Sequence, residues 1–487
     1  MRWSLPENTP NGGSTMSENN QNILAKAPIW KALAHLCIPM IAGLLIGVVY
    51  NIVNAGFIGS LPESTPLLAA LTFSLPVFSL LMAVGNVFGV GGGTYISRLL
   101  GSDQHEEPQP ASGANAAEQD STGIRIRQVG AFTVWGAALG GVVVGILGVI
   151  FATPISMAIG ASGADLLPTS QYIGAMFAFA PALVCAFAME QVVRSEGAAT
   201  ASMIGLIAST IANLVFDVLF ILILGWGVLG AGIALGLSNV VAVAYYGWWL
   251  SRRAAAVSIA PKWFHIDRTM LATVFGVGVS EFLQASFLIV TGLVLNWIAI
   301  AYGDALLAAF GVAQRVAQFP EMICMGLFMG AVPLFAFSFG AGNQPRLHTA
   351  VRNVAIAIAG VTVVCSGLMF LFRNPLFALF SHDPAVVSDG VLILTAMLIS
   401  TLFNGFTGLI IAVFQATEQM KAATVMSVLQ GVLFIPVVLI GNAVFGMNGV
   451  IWAMTATEIM TFIVGIVLYL VGSRRPQQAP VPDVAVR

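Results

Sequence analysis

Long apolar runs alternate with short polar breaks along this chain, and the runs set its architecture. A helix that crosses a bilayer needs about 20 mostly apolar residues. Twelve runs reach that length: 33–57, 67–97, 128–152, 169–193, 198–224, 229–251, 269–300, 306–337, 351–372, 388–413, 422–445 and 449–472. They predict an all-α polytopic membrane protein. Two breaks are long. Residues 101–123 (GSDQHEEPQPASGANAAEQDSTG) are polar and rich in Ala, Ser, Gln and Pro, which predicts a flexible insertion. Residues 252–268 carry Arg252, Arg253, Lys262 and Arg268 with Pro261, and fall midway. They read as a linker between an amino lobe, 26–251, and a carboxy lobe, 269–472. The first 25 residues predict a disordered tail without the apolar core of a signal peptide, and 473–487 a second polar tail. Met16 offers an alternative start.

The basic residues fix an orientation. If the amino terminus is placed inside, 17 of the 19 Lys and Arg fall on inner segments. Arg373 alone is outside, and Arg315 lies within a run. Such a bias sets topology and predicts that both termini are cytoplasmic. It also supports the count, since one missed helix would scramble it.

Composition agrees. The chain is 58% hydrophobic and 8% charged, against about 25% charged in soluble domains. The net charge of −2 says nothing about partners, but a nucleic-acid binder would show a basic face, and none stands out. Cys37, Cys185, Cys324 and Cys365 each lie in an apolar run without a C-x-x-C spacing, so they read as small buried hydrophobes. No G-x-x-x-x-G-K-[ST] or H-E-x-x-H occurs, and the G-V-G-G-G at 89–93 sits inside a helix, where it suits close packing. No enzyme signal, metal cluster or cofactor motif stands out.

The halves repeat. Residues 91–101 (GGGTYISRLLG) lie over 330–340 (GAVPLFAFSFG), 190–194 (EQVVR) over 414–418 (FQATE), and 227–234 (GVLGAGIA) over 446–453 (GMNGVIWA). Six helices per half preserve orientation, so the repeats are parallel. The expectation is two pseudo-symmetric six-helix lobes with a substrate site between them.

Charges inside the runs are the candidate chemistry, because an intramembrane acid is expensive. In N-L-V-F-D-V-L-F, Asn213 and Asp217 are four apart and share a helix face. An amide and a carboxylate aimed at one point suit a proton or a small cation such as Na+; the competing reading is an Asp hydrogen-bonded for packing alone. Asn51 and Asn54 can face Asp217 or act as amide glue between helices. Glu281 and Glu321 are candidates to meet a cationic substrate or carry a proton. Arg315, six residues before Glu321, is on another face. Glu190 has Arg194 at i+4 and reads as a local ion pair. Glu458 has no obvious partner. The 19 Met and 31 Phe fit an adaptable apolar chamber as well as lipid contact.

Whole blocks resemble the MATE (multidrug and toxic compound extrusion) family, in its MepA-like branch, over about 26–472. They are F-I-G (57–59), LPVFSLLMAVGNVFGVGGGTYISRLLG (75–101), S-M-I-G (202–205), Q-F-P-E (318–321), LQGVLFIPV (429–437) and FGMNGVIW (445–452). The resemblance implies export of cationic amphipathic compounds in exchange for H+ or Na+, with no other cofactor, by a monomer of two rocking lobes in a bacterial inner membrane. It makes Asn213 and Asp217 the fifth-helix cation pair, and Pro39 the first-helix proline associated with bending. Asn54 stands where many members carry an Asp, and Leu235 where a Thr is common, so the site is expected to rest on Asp217. Asn404 occupies the approximate place of a tenth-helix acid found in another branch, and is assigned with Glu321, Glu281 and Arg315 to the substrate region. The competing function is a flippase for lipid-linked oligosaccharides from the same broad superfamily, which favours a basic cavity; Arg315 is the one basic residue deep in a run. A membrane enzyme would need clustered acids or His at one membrane face.

Overall fold

The computed structural model describes residues 22–59, 64–103, 113–378 and 384–473. Among them there are no strands. The first half is built from α1 (Ile29–Gly59), α2 (Ser64–Asp103), α3 (Gly113–Ile150), α4 (Leu166–Ala178), α5 (Ala180–Ser195), α6 (Ala199–Asp217) and α7 (Gly227–Arg252). The second half is built from α8 (Arg268–Ala301), α9 (Asp304–Gly340), α10 (Gln344–Leu371), α11 (Pro384–Ala416), α12 (Met420–Phe445) and α13 (Met447–Ser473). Eleven helices among the described residues are long and apolar enough to cross a membrane. The bent pair α4–α5 makes a twelfth span, so the predicted number stands.

That bend departs from the single helix expected over 169–193. The axis turns by 56° between α4 and α5. Pro181 removes a backbone donor and crowds the preceding turn, and Phe179 leaves helical geometry at φ −97°, ψ 8°. Gly141 and Gly145 of α3 press directly on this break.

Two expectations at the edges of the helices are corrected. Residues 22–26 are helical rather than part of a disordered tail, because Leu24 buries its side chain completely and its carbonyl accepts from Arg346 at 2.7 Å. Residues 101–103 close α2 and 113–123 open α3, so both ends of the proposed insertion are helix; Ala114, Ala116, Ala117, Glu118 and Gln119 are good helix formers. The residues between, 104–112, and the tails 1–21 and 474–487 lie outside the described residues. The 252–268 segment is held in place: Glu196 accepts the backbone N–H groups of Ala255, Ala256 and Val257 at 2.8–3.3 Å. Arg125 pairs with Asp267 at 2.8 Å, and the Trp135 indole donates to the Ile259 carbonyl at 3.0 Å.

The apolar core explains the shape. One buried cluster draws on both halves and includes Leu36, Ile96, Val193, Met270, Leu334 and Val354. It lies at the end that carries Arg98, Arg125, Arg194, Arg268 and Arg346. Toward the other end the core divides into a cluster of the first half, around Leu81, Phe177 and Ile221, and one of the second half, around Phe310, Leu394 and Val450. The halves are therefore closed on each other at the basic end and parted at the opposite end.

Closure rests on glycine. The halves meet mainly where α2 crosses α8 and α9, and where α1 crosses α9. Added Cβ atoms at Gly91 and Gly278 would overlap the carbonyls of Val274 and Val87 across the α2–α8 crossing. At Gly101 and Gly340 they would overlap the carbonyls of Phe337 and Arg98. In the repeat alignment position 98 lies over 337 and 101 over 340, so this last crossing is a symmetric contact between equivalent residues. Backbones this close leave no room for a side chain, and bring carbonyls against Cα–H groups.

Candidate functional site: two separate polar centres

The first centre is sealed inside the first half. Asp217 is 2% exposed and Asn213 6%. Both lie on the face of α6 turned toward its neighbours, as the i, i+4 spacing predicts. Sequence reasoning missed Tyr50 of α1, whose hydroxyl donates to the Asn213 amide oxygen and lies in hydrogen-bonding reach of the Asp217 carboxylate. Buried Tyr172 of α4 is within electrostatic range of the same carboxylate. The signal for Tyr50 was its place directly before Asn51 in Y-N-I-V-N; for Tyr172 the apolar pattern held none. The side chains of Asn51 and Asn54 lie outside the described residues, although α1 carries both. Directly after Asp217 the helix widens into a π-helical turn, Val218–Ile223. Such turns occur often at functional sites. Pro39 sits within α1, which runs unbroken through it, and leaves the carbonyl four residues back without its usual helical donor.

The second centre is a cavity of about 330 Å³ between the halves. Asp217 and Asn213 are not among its lining residues. Glu281, Glu321 and Asn404 are. Arg315 is not: it is exposed, on a different face of α9 from Glu321. Depth within an apolar run says nothing about which face a residue takes. The basic residue that does reach the cavity is Arg194, 3% exposed, and Arg98 is equally buried nearby at 4%. The expected Glu190–Arg194 pair forms at 3.6 Å.

The second half supplies all three carboxylates of the cavity: Glu281 on α8, Glu321 on α9 and Glu458 on α13. Glu281 accepts from the Gln415 amide at 2.7 Å and is within electrostatic range of Arg194. Glu458, left open by the sequence, accepts from Gln430 at 2.7 Å and from Asn404 at 3.4 Å. Gln430 in turn accepts from Gln284 at 3.4 Å. Glu321 and Glu458 are within electrostatic range of each other. Met325, Met329, Met454, Phe287, Phe328 and Phe434 complete the apolar wall. The intramembrane glutamines were the overlooked signal.

The floor of the cavity is the closed basic end. There Arg98 of α2 pairs with Glu418, between α11 and α12, at 3.0 Å, and its guanidinium donates to the Gln415 carbonyl at 3.3 Å. Glu418 adopts a positive φ of 59° to meet it.

Two helical halves around a central polar chamber are the build of a membrane transporter. The comparisons resolve the family. The MatE family model matches residues 279–440. Multidrug export protein MepA of Staphylococcus aureus is 35% identical over 460 residues, which cover 94% of this chain and 98% of that protein. Its counterpart in Staphylococcus saprophyticus is 35% identical over 461 residues, with the same coverage. The chain belongs to the MATE family, and is a membrane transporter rather than an enzyme. Among solved structures, an outward-facing multidrug resistance MATE family transporter superposes with a TM-score of 0.82 at 22% identity, covering 94% of this chain and 99% of that one. A MOP superfamily transporter from Pyrococcus furiosus gives 0.82 at 22%, covering 93% and 97%. At that identity the likeness is one of fold.

Proposed function

We propose that this protein is a secondary active exporter of cationic amphipathic compounds, driven by exchange for H+ or Na+, in the inner membrane of a bacterium. The observation that carries this reading is the separation of two centres: a sealed carboxylate in one half, and an acidic chamber with Met and Phe walls between the halves. Asp217, held by Asn213 and Tyr50, takes the coupling ion. The chamber takes the drug, with Glu321, Glu281 and Asn404 on its wall. The multidrug export named for the staphylococcal relatives supports the substrate class.

Coupling requires that ion and drug favour different states. With the basic end cytoplasmic, the parted end faces outward and the closed crossing is the inner gate. Both termini are then cytoplasmic. Rocking of the lobes opens this gate and closes the outer end, and a single chain contains the whole pathway. Three carboxylates against one arginine argue against a pyrophosphate-bearing substrate, and so against a flippase for lipid-linked sugars.

The test is ethidium movement in proteoliposomes under an imposed pH gradient or an imposed sodium gradient. One gradient should drive uptake into vesicles by inverted molecules, and Asp217→Asn should abolish it. Normal transport by the variant would make Asp217 structural. Movement under neither gradient would remove the exporter reading.

A further inference from the structure

The three cavity carboxylates are not equivalent. Glu281 is answered: Gln415 donates to it, and Arg194 balances its charge. Glu321 is half-buried on the wall. Glu458 is only 8% exposed, and its two oxygens have different surroundings. Oε1 accepts from Gln430 and Asn404. Oε2 is buried, takes no hydrogen bond from Gln430 or Asn404, and lies near the buried Thr407 hydroxyl, with no well-formed hydrogen bond between them. A buried polar atom without a partner is rare and calls for an explanation, and an unpaired buried charge is more expensive still.

The surroundings say what would complete it. Gln430 and Phe434 are one turn apart on α12, and Met454 and Glu458 one turn apart on α13; all four line the cavity. Each helix thus presents a polar residue beside an apolar one on the same face. A small metal ion needs several oxygen ligands, but the amides around Glu458 turn their N–H donors toward it. An organic cation needs one anion and aromatic or thioether surface for its apolar body. Glu321 nearby adds a second negative charge without a competing cation.

We propose that Glu458, oriented by Gln430 and Asn404, is the anion that receives the charged group of the transported compound. This rests on the exporter reading and adds a residue to it. Gln430 and Asn404 are positioning residues: their N–H groups fix Oε1 and hold the carboxylate at the cavity wall.

Equilibrium binding to the purified full-length protein in detergent tests the assignment, with ethidium as the cationic probe and Nile red as an uncharged one. Glu458→Gln should weaken ethidium by about tenfold or more, as expected when one partner of a desolvated charge pair is removed, and leave Nile red unchanged. Glu458→Asp, which keeps the charge, should recover part of the loss. Unchanged ethidium affinity in Glu458→Gln would overturn the proposal while leaving the exporter reading intact. Loss of both probes would also overturn it, making Glu458 a support of the cavity wall. Failure of the wild type to bind ethidium would bring down the exporter reading itself.

Discussion

Two carboxylates outside the membrane-spanning segments respond to acid in opposite directions. Burial pushes the Glu196 carboxyl up, against three backbone N–H groups that favour its charged form. The stability linked to this shift is present at low pH and is lost as pH rises through the folded value. Hydrogen bonding to Arg125 holds the Asp267 carboxyl below the usual range. Its contribution is present at neutral pH and is lost as pH falls through that lowered value. Thermal unfolding in detergent from neutral to acid pH should therefore show an Asp267 component that Asp267→Asn removes, and a component of opposite slope that Glu196→Gln removes. At neutral pH Glu196→Ala should destabilise more than Glu196→Gln, since each orphaned buried donor costs on the order of 1–3 kcal/mol; equal melting temperatures would show that the linker does not depend on this clasp. The same scale shows what was legible. Asn213 and Asp217 could be read because both partners lie on one helix, four residues apart. Glu458 could not, because Gln430 and Asn404 come from 28 and 54 positions away. Arg315 was assigned by depth alone, and depth does not give a face.

Helices were the most legible elements, since a spanning segment must satisfy its own backbone and so declares its length in apolar residues. What stayed hidden was how the elements bend and touch. Pro181 was visible in the fourth run, but its 56° turn depends on Gly141 and Gly145 admitting the broken backbone. Likewise, the glycines of α2 were read as packing residues, but their partners were not identified. The crossing is testable through Cys37, a buried thiol whose backbone lies against Gly330 between α1 and α9. In a chain where Cys37 is the sole cysteine, Gly340→Ala should force the basic ends apart and raise the maleimide labelling rate at Cys37 severalfold. Overpacking of this kind typically costs about 1–3 kcal/mol, enough to shift a two-state balance by tenfold. A labelling rate equal to that of the parent would mean that the crossing tolerates the methyl without opening.

For the whole molecule, the proposed inner gate is an electrostatic contact on a glycine seam. Glu418→Gln leaves Arg98 buried without its anion. This should destabilise the closed state and also raise Cys37 labelling, and ethidium should shift the balance back if it prefers the chamber with this end closed. Insensitivity of the labelling rate to Glu418→Gln would make the ion pair incidental to gating. Topology has its own check. A carboxy-terminal green fluorescent protein fusion should fluoresce and an alkaline phosphatase fusion should be inactive; the reverse would invert the orientation and the gate with it.

The contact of positions 98 and 101 with 340 and 337 also bears on symmetry. Equivalent residues facing each other across a two-fold relation form an isologous interface, the kind that joins identical subunits. In a symmetric dimer any substitution at such a seam is met twice, once on each side. A single chain is free of that restriction. One side carries Arg98 where the other carries Phe337, and the charged clasp of Arg98 with Glu418 lies on one side of the axis alone.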